Sequence, residues 1–379
     1  MSTLESLPLP AGIRSRCMGG INGLDVHVLE AGFEAGPRPL VLLLHGFPEL
    51  AYSWRKVMPA LAHAGYHVIA PDQRGYGRTT GWDAAYDGDL QSYHIFNLVR
   101  DALALVAALG MGQVHAVVGH DFGSPVAACC ALIRPDVFRS VVLMSAPFGG
   151  VPELPVGAAG SVARATAPNL HEQLAALTPP RLHYQRYYAS RDADRDMRQC
   201  PQGLHAFLRA YFHVKSADWS QNAPRPLAAM SAEELAKLPE YYVMEMGKGM
   251  AATVAPQMPT PEQIANCAWL PDPELEVYAQ EFGRTGFQGA LQWYRSIGTP
   301  SHLAQFALFS GRKIEVPSWF IAGEKDWGIY QRPGDFEAMQ AGACADMRGC
   351  YLVEGAGHWV QQEQPEVVGR LLVQALGSV

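Results

Sequence analysis

Gly119-His120-Asp121-Phe122-Gly123 puts a carboxylate between two glycines, directly after the β-branched run Val114–Val118. Glycines at those places let a chain turn sharply from strand into helix and leave the central side chain on the tip of the turn. Such an elbow usually carries Ser. An aspartate there can attack an electrophilic sp³ carbon and leave an alkyl ester. As a bare pattern it is an ordinary turn, and the strand before it and helix after it give it meaning. His358 stands in Gly355-Ala356-Gly357-His358-Trp359, and Asp326 in Gly323-Glu324-Lys325-Asp326-Trp327. Each follows an apolar run, so the chain order is nucleophile, acid, histidine. Alone, His358 reads as a packed loop residue and Asp326 as a loop charge or helix cap. Together, at the ends of three strands, they read as a nucleophile with its base and orienting acid. Glu324 and Asp346 are weaker choices for the acid. His45-Gly46-Phe47-Pro48 follows Leu40–Leu44. A glycine turn there aims a backbone N–H at the centre, making the Phe47 and Phe122 amides the natural oxyanion-hole pair. His45 reads as structural, and a cis Phe47–Pro48 bond is the minority expectation for X–Pro.

Elements able to hold these residues are visible in the same half of the chain. Leu40–Leu44, Tyr66–Ala70, Val114–Val118 and Val141–Ser145 are apolar without alternation, as strands buried on both faces are. Helical stretches lie between them near Trp54–Ala64, Asn97–Leu109 and Gly123–Arg134. Strand–helix alternation predicts an α/β fold with a mostly parallel sheet flanked by helices. The texture changes after about Gly149. Residues 151–300 hold more than half of the 28 prolines and few β-branched runs. Helices are predicted at Leu182–Ala189, Gly203–Phe212, Glu233–Leu238, Tyr241–Gly247 and Glu274–Phe282. Strands resume at Ser318–Ala322 and Tyr351–Val353, and a helix closes the chain at Pro365–Leu376. The division predicted is a core over 1–150 and 301–379 with a mostly helical cap, 151–300, above the carboxyl ends of the strands.

Composition narrows the class. The 379 residues carry 29 Lys and Arg against 36 Asp and Glu, a net charge of −7, with 49% hydrophobic residues. The acidic balance and absence of a basic run argue against a nucleic-acid partner. No segment approaches the roughly 18–20 apolar residues that span a bilayer. Residues 1–16 lack the pattern of a secretory signal. Seven scattered cysteines without a CxxC pair fit neither a disulfide framework nor a zinc site, and a reducing cytoplasm is expected.

These motifs together resemble the epoxide hydrolases of the α/β-hydrolase superfamily. The resemblance rests on His45-Gly46-Phe47-Pro48-Glu49, Asp72-Gln73-Arg74-Gly75-Tyr76-Gly77, the Asp121 elbow, Glu324-Lys325-Asp326, Gly357-His358-Trp359, and Phe282–Phe287 leading to Trp293-Tyr294-Arg295. It runs from about Val26 to Val368 and is weakest between Asn222 and Asn266, where the cap is longer. It implies an α/β-hydrolase fold with an inserted cap, acting on a small-molecule epoxide and water without metal or organic cofactor. It also implies two cap tyrosines that hold the ring oxygen. Tyr294 matches directly. Tyr184 is the preferred match for the other, with Tyr187 and Tyr188 as rivals one helical turn on. A neutral phenol can donate to the alkoxide that ring opening expels. The expected pathway is attack by Asp121, then ester hydrolysis by water that His358 and Asp326 activate. Phe47, Pro48, Phe122, Trp327 and Trp359 are expected pocket walls. The nearest rival is a dehalogenase with the same Asp nucleophile, whose halide needs N–H donors where this chain has Phe47 and Phe122. A non-catalytic ligand receptor on the same fold is the rival from another class.

Overall fold

Leu40–Leu44 and Val141–Met144 are apolar at every position because each sheet face is covered. Leu42, Leu44, Val117, Val141 and Leu143 point into one core, and Val41, Leu43, Ala116, Val118 and Val142 into the other. The computed structural model describes residues 4–34, 36–151, 169–297 and 299–379. Its main sheet has eight strands: β1 Ile13–Ile21, β2 Leu24–Ala31, β3 Leu40–Leu44, β4 His67–Pro71, β5 Ala116–His120, β6 Val141–Met144, then β9 Ser318–Gly323 and β10 Met347–Val353 beyond two cap strands, β7 Arg181–His183 and β8 Val243–Glu245. Their order across the sheet is β1-β2-β4-β3-β5-β6-β9-β10. β2 runs antiparallel to β1 and β4, and the remaining pairs are parallel. Leu44 lies beside Gly119 and His120 beside Met144, so β3, β5 and β6 end on one edge. The loops after β9 and β10 open on the same edge.

The β1–β2 hairpin was not predicted. Its turn is Asn22-Gly23, with φ of 49° and 83°. Positive φ at both central residues is what a two-residue hairpin needs. Four further expectations are corrected. Val114–Val118 shifts to Ala116–His120, so Gly119 and His120 belong to the strand. Trp54–Ala64 divides into a 3₁₀ turn, Ala51–Trp54, and a helix, Met58–His63. Tyr241–Gly247 is not a helix: Val243–Glu245 pairs antiparallel with Arg181–His183, His183 opposite Val243. A ladder partner overrides local helical preference in so short an apolar stretch. The expected helix Leu182–Ala189 therefore begins only at Tyr184 and runs to Tyr188.

The cap is fastened to the core by close backbone contact. A Cβ on Gly75 would meet the Gly289 carbonyl oxygen at 2.4 Å. The Trp293 indole donates to Arg74 O at 2.9 Å, and Arg284 donates to Gly77 O at 2.8 Å. The Asp72–Gly77 motif is thus the seat of the cap helix Gln288–Ile297. Entry to the cap, residues 152–168, lies outside the described residues. Among the described residues no helix is long and apolar enough to cross a membrane.

Candidate active site

Asp121 sits on the turn between β5 and the helix Gly123–Ile133, with φ of 51°, a left-handed conformation rare for a residue with a side chain. The turn is tight on every side. A Cβ on Gly119 would lie 2.1 Å from Gly123 O, and one on Gly123 would lie 2.2 Å from Leu44 O. Gly46 faces the aspartate directly, since a Cβ there would meet Asp121 Oδ1 at 2.4 Å. The Phe47 amide donates to Asp121 Oδ1 at 2.9 Å, as a donor aimed at that carboxyl group must. Phe122 opens the following helix as its N-cap. The Phe47–Pro48 bond is cis, the minority form.

His358 Nε2 lies 3.3 Å from Asp121 Oδ2, and His358 Nδ1 is 3.0 Å from Asp326 Oδ1. Asp326 Oδ1 also accepts the Gly328 amide at 2.7 Å. Of the three acids considered, only Asp326 reaches the imidazole. Glu324 is exposed, and Asp346 pairs with Arg348. Burial alone would raise the Asp121 carboxyl. The hydrogen bond and charge of His358, then the charges of Lys215 and His120, hold it far below the usual carboxylate range. For His358, burial and Lys215 push the pKa down, but Asp326 and Asp121 outweigh them and raise it. Asp121 is therefore an anion and the imidazole is poised to hold a proton between two carboxylates.

The cap brings phenols over this carboxylate. Tyr294 packs edge-on to Phe47 and Phe122, with ring centroids at 5.6 and 5.1 Å. Its hydroxyl makes no hydrogen bond among the described residues. Tyr184 lies 6.1 Å from Tyr294, ring to ring, and donates to Gln331 Oε1 at 2.9 Å. Burial raises both phenols well above their ordinary value, and the Asp121 charge raises them further. Both stay neutral and able to donate. Of the rivals, Tyr188 donates to the Tyr211 hydroxyl at 3.1 Å, and the Tyr187 hydroxyl is buried next to Gly249.

The walls divide. Phe47, whose amide meets the carboxylate, packs its ring against Tyr188, Phe282 and Phe287, and Phe122 packs against Trp293. Pro48 is buried beside them. Trp327 is buried at the start of the short helix after Asp326. Trp359 lies behind the imidazole, its centroid 4.7 Å from His358 and its indole donating to Phe212 O at 2.8 Å. Its contacts position the histidine.

The family profile described as the alpha/beta hydrolase fold matches residues 39–225. Epoxide hydrolase B of Mycobacterium tuberculosis is 35% identical over 368 residues, covering 94% of this chain and 96% of that protein. Epoxide hydrolase A of the same organism is 33% identical over 94% and 95%. The chain belongs to the epoxide hydrolases of the α/β-hydrolase superfamily. Among solved structures, an epoxide hydrolase from an endophytic Streptomyces aligns with a TM-score of 0.75 and 31% identity, over 97% of this chain and 96% of that one. Potato epoxide hydrolase I (Solanum tuberosum) aligns with a TM-score of 0.71 and 29% identity, over 97% and 100%.

Three further residues support the site, Glu49 and Lys215 buried and Glu363 half-buried. Glu49 accepts Gln361 Nε2 at 2.8 Å and meets His120 Nδ1 at 2.5 Å, while His120 Nε2 reaches His358 O at 2.7 Å. Glu363 accepts the amides of Ala217, Gly357 and Trp359 at 2.7, 2.9 and 2.9 Å, clamping the histidine loop. Lys215 is 4% exposed and its carbonyl accepts the His358 amide at 2.8 Å. Glu49 lies in a quoted motif. Glu363 and Lys215 carried no signal beyond being ordinary charges on helices. A cavity of about 280 Å³ lies elsewhere, lined by residues including Arg209, His213, Glu262, Cys267 and Trp269. Arg209 and His213 are two positions from Tyr211 and Lys215, hence on the opposite face of the helix Leu204–Lys215.

Proposed function

We propose that the protein hydrolyses epoxides to vicinal diols in two steps through an ester on Asp121. Asp121 attacks the less hindered ring carbon in line. The C–O bond to the ring oxygen breaks as Tyr184 and Tyr294 hold that oxygen and deliver a proton. His358, oriented by Asp326, then takes a proton from water, and the water oxygen attacks the Asp121 ester carbonyl. The tetrahedral oxyanion is met by the amides of Phe47 and Phe122. Its collapse breaks the ester bond, the diol oxygen takes the proton from His358, and the proton left on the Asp121 carboxyl returns to the tyrosinate. A domain division of 1–150 and 301–379 against 151–300 accompanies this reading, as does a cytoplasmic setting, supported by seven unpaired cysteines.

The observation that carries it is the placing of Asp121. An ionised carboxylate, in contact with a histidine–acid pair, faces unpaired Tyr294 across apolar walls. Phe47 and Phe122 offer no side-chain N–H to a halide, which sets the dehalogenase reading aside. The test is His358→Gln mixed with styrene oxide and read by intact-protein mass spectrometry. A stoichiometric adduct on Asp121 is expected, because its hydrolysis lacks a base. Undiminished turnover with no adduct would remove His358 and the ester from the pathway.

A further inference from the structure

Lys215 is the last residue of the cap helix Leu204–Lys215, and its ammonium is held in an unusual way. It lies 5.5, 5.2 and 5.4 Å from the ring centroids of Tyr211, Tyr242 and Trp359. Among the described residues no carboxylate comes within 4 Å of it. Three aromatic faces carry a cation that a buried ion pair would otherwise carry. One of those rings, Trp359, packs on the His358 imidazole, and the Lys215 carbonyl holds the His358 amide. The cation is thus fixed to His358 by backbone and by an edge-to-face ring contact.

The charges around His358 change during the pathway proposed above, on which this inference rests. In the resting site the imidazole faces Asp121 and Asp326, with Lys215 as the opposing charge. Once Asp121 is an ester, its negative charge is gone. Asp326 and Lys215 then flank the ring alone, with His120 at 5.0 Å ring to ring and Glu49 behind it. From the remaining sides Tyr211 and Tyr242 present neutral phenols, and Glu363 bonds to the loop backbone. Glu324 is exposed, and half-buried Lys325 points its ammonium toward Ala217 O at 3.5 Å.

We propose that Lys215 is a positioning residue for ester hydrolysis: its caged ammonium is the fixed charge that leaves His358 neutral, and so a base, once Asp121 is esterified. With Lys215 absent, Asp326 alone would favour imidazolium, which cannot accept the water proton. The same charge steadies the Asp121 carboxylate when hydrolysis regenerates it.

The test measures single-turnover formation and decay of the styrene-oxide ester across pH in the wild type, Lys215→Met, Lys215→Gln and Lys215→Arg. The acid limb of ester decay is expected to move up by about 0.5–1 pH unit in the Met and Gln variants, roughly a 3- to 10-fold loss on that limb. Ester formation should change less than decay, and Arg should restore the wild-type limb. Equal loss at every pH with no moved limb, or an Arg variant that tracks Met, would overturn the proposal and leave Lys215 a packing residue. An unshifted limb with ester still forming contradicts the role of Lys215 alone. Absence of any ester in the wild type contradicts the mechanism beneath it and the proposal together.

Discussion

The elbow of the core and the tyrosine shelf of the cap face one another across the same carboxylate, yet they are built by different means. Around Asp121 position is set by backbone. Glycines at 46, 119 and 123 leave no room for a Cβ, and the left-handed residue between them is fixed by β5 on one side and a helix on the other. Around Tyr184 and Tyr294 position is set by side chains: aromatic edges, one hydrogen bond to Gln331, and the Trp293 tether to Arg74. The first arrangement tolerates almost no change. The second keeps its shape when a hydroxyl is removed and loses only chemistry. On the proposed pathway, nucleophile placement and leaving-group assistance are therefore separable.

The contrast is sharpest at Gly119. Gly119→Ala is expected to destabilise the fold by about 3 kcal/mol or more, since the new methyl meets the Gly123 backbone and the Ala127 Cβ, neither of which can swing aside. Thermal unfolding would register it, and a variant with wild-type melting would show the elbow to be looser than its contacts require. The cap should answer in the opposite way. Tyr294→Phe keeps the ring contacts to Phe47, Phe122 and Tyr188, so stability should change by less than about 1 kcal/mol. The rate of ester formation should fall about 10- to 100-fold, with Tyr184→Phe at the lower end because that hydroxyl is shared with Gln331. A loss of stability larger than the loss of rate would make these phenols packing residues and erase the distinction.

The same contrast governs what could be read from the chain. The meeting of Asp121, His358 and Asp326 was legible because each follows an apolar run and sits among glycines, a pattern that constrains backbone. Phe47 was legible for the same reason. Tyr294 and Tyr184 emerged only by resemblance, because fifteen tyrosines in an apolar chain give no local sign of which face a site. The segment Tyr241–Gly247 misled because its strand partner, Arg181–His183, is sixty residues away and invisible to local pattern. Asn22-Gly23 carried a hairpin signal that went unused. Lys215 resembles any basic residue closing a helix, where it complements the dipole. Only folding shows that its head lies in an aromatic cage beside His358.

The central claim is that Asp121 becomes covalently bonded to substrate. Single turnover with enzyme in excess, in heavy-oxygen water, tests it most directly. The first diol should leave unlabelled, carrying an oxygen from Asp121, and the peptide containing Asp121 should gain one heavy oxygen. A labelled first diol with Asp121 unlabelled would mean that water attacks the epoxide itself, and would contradict the account.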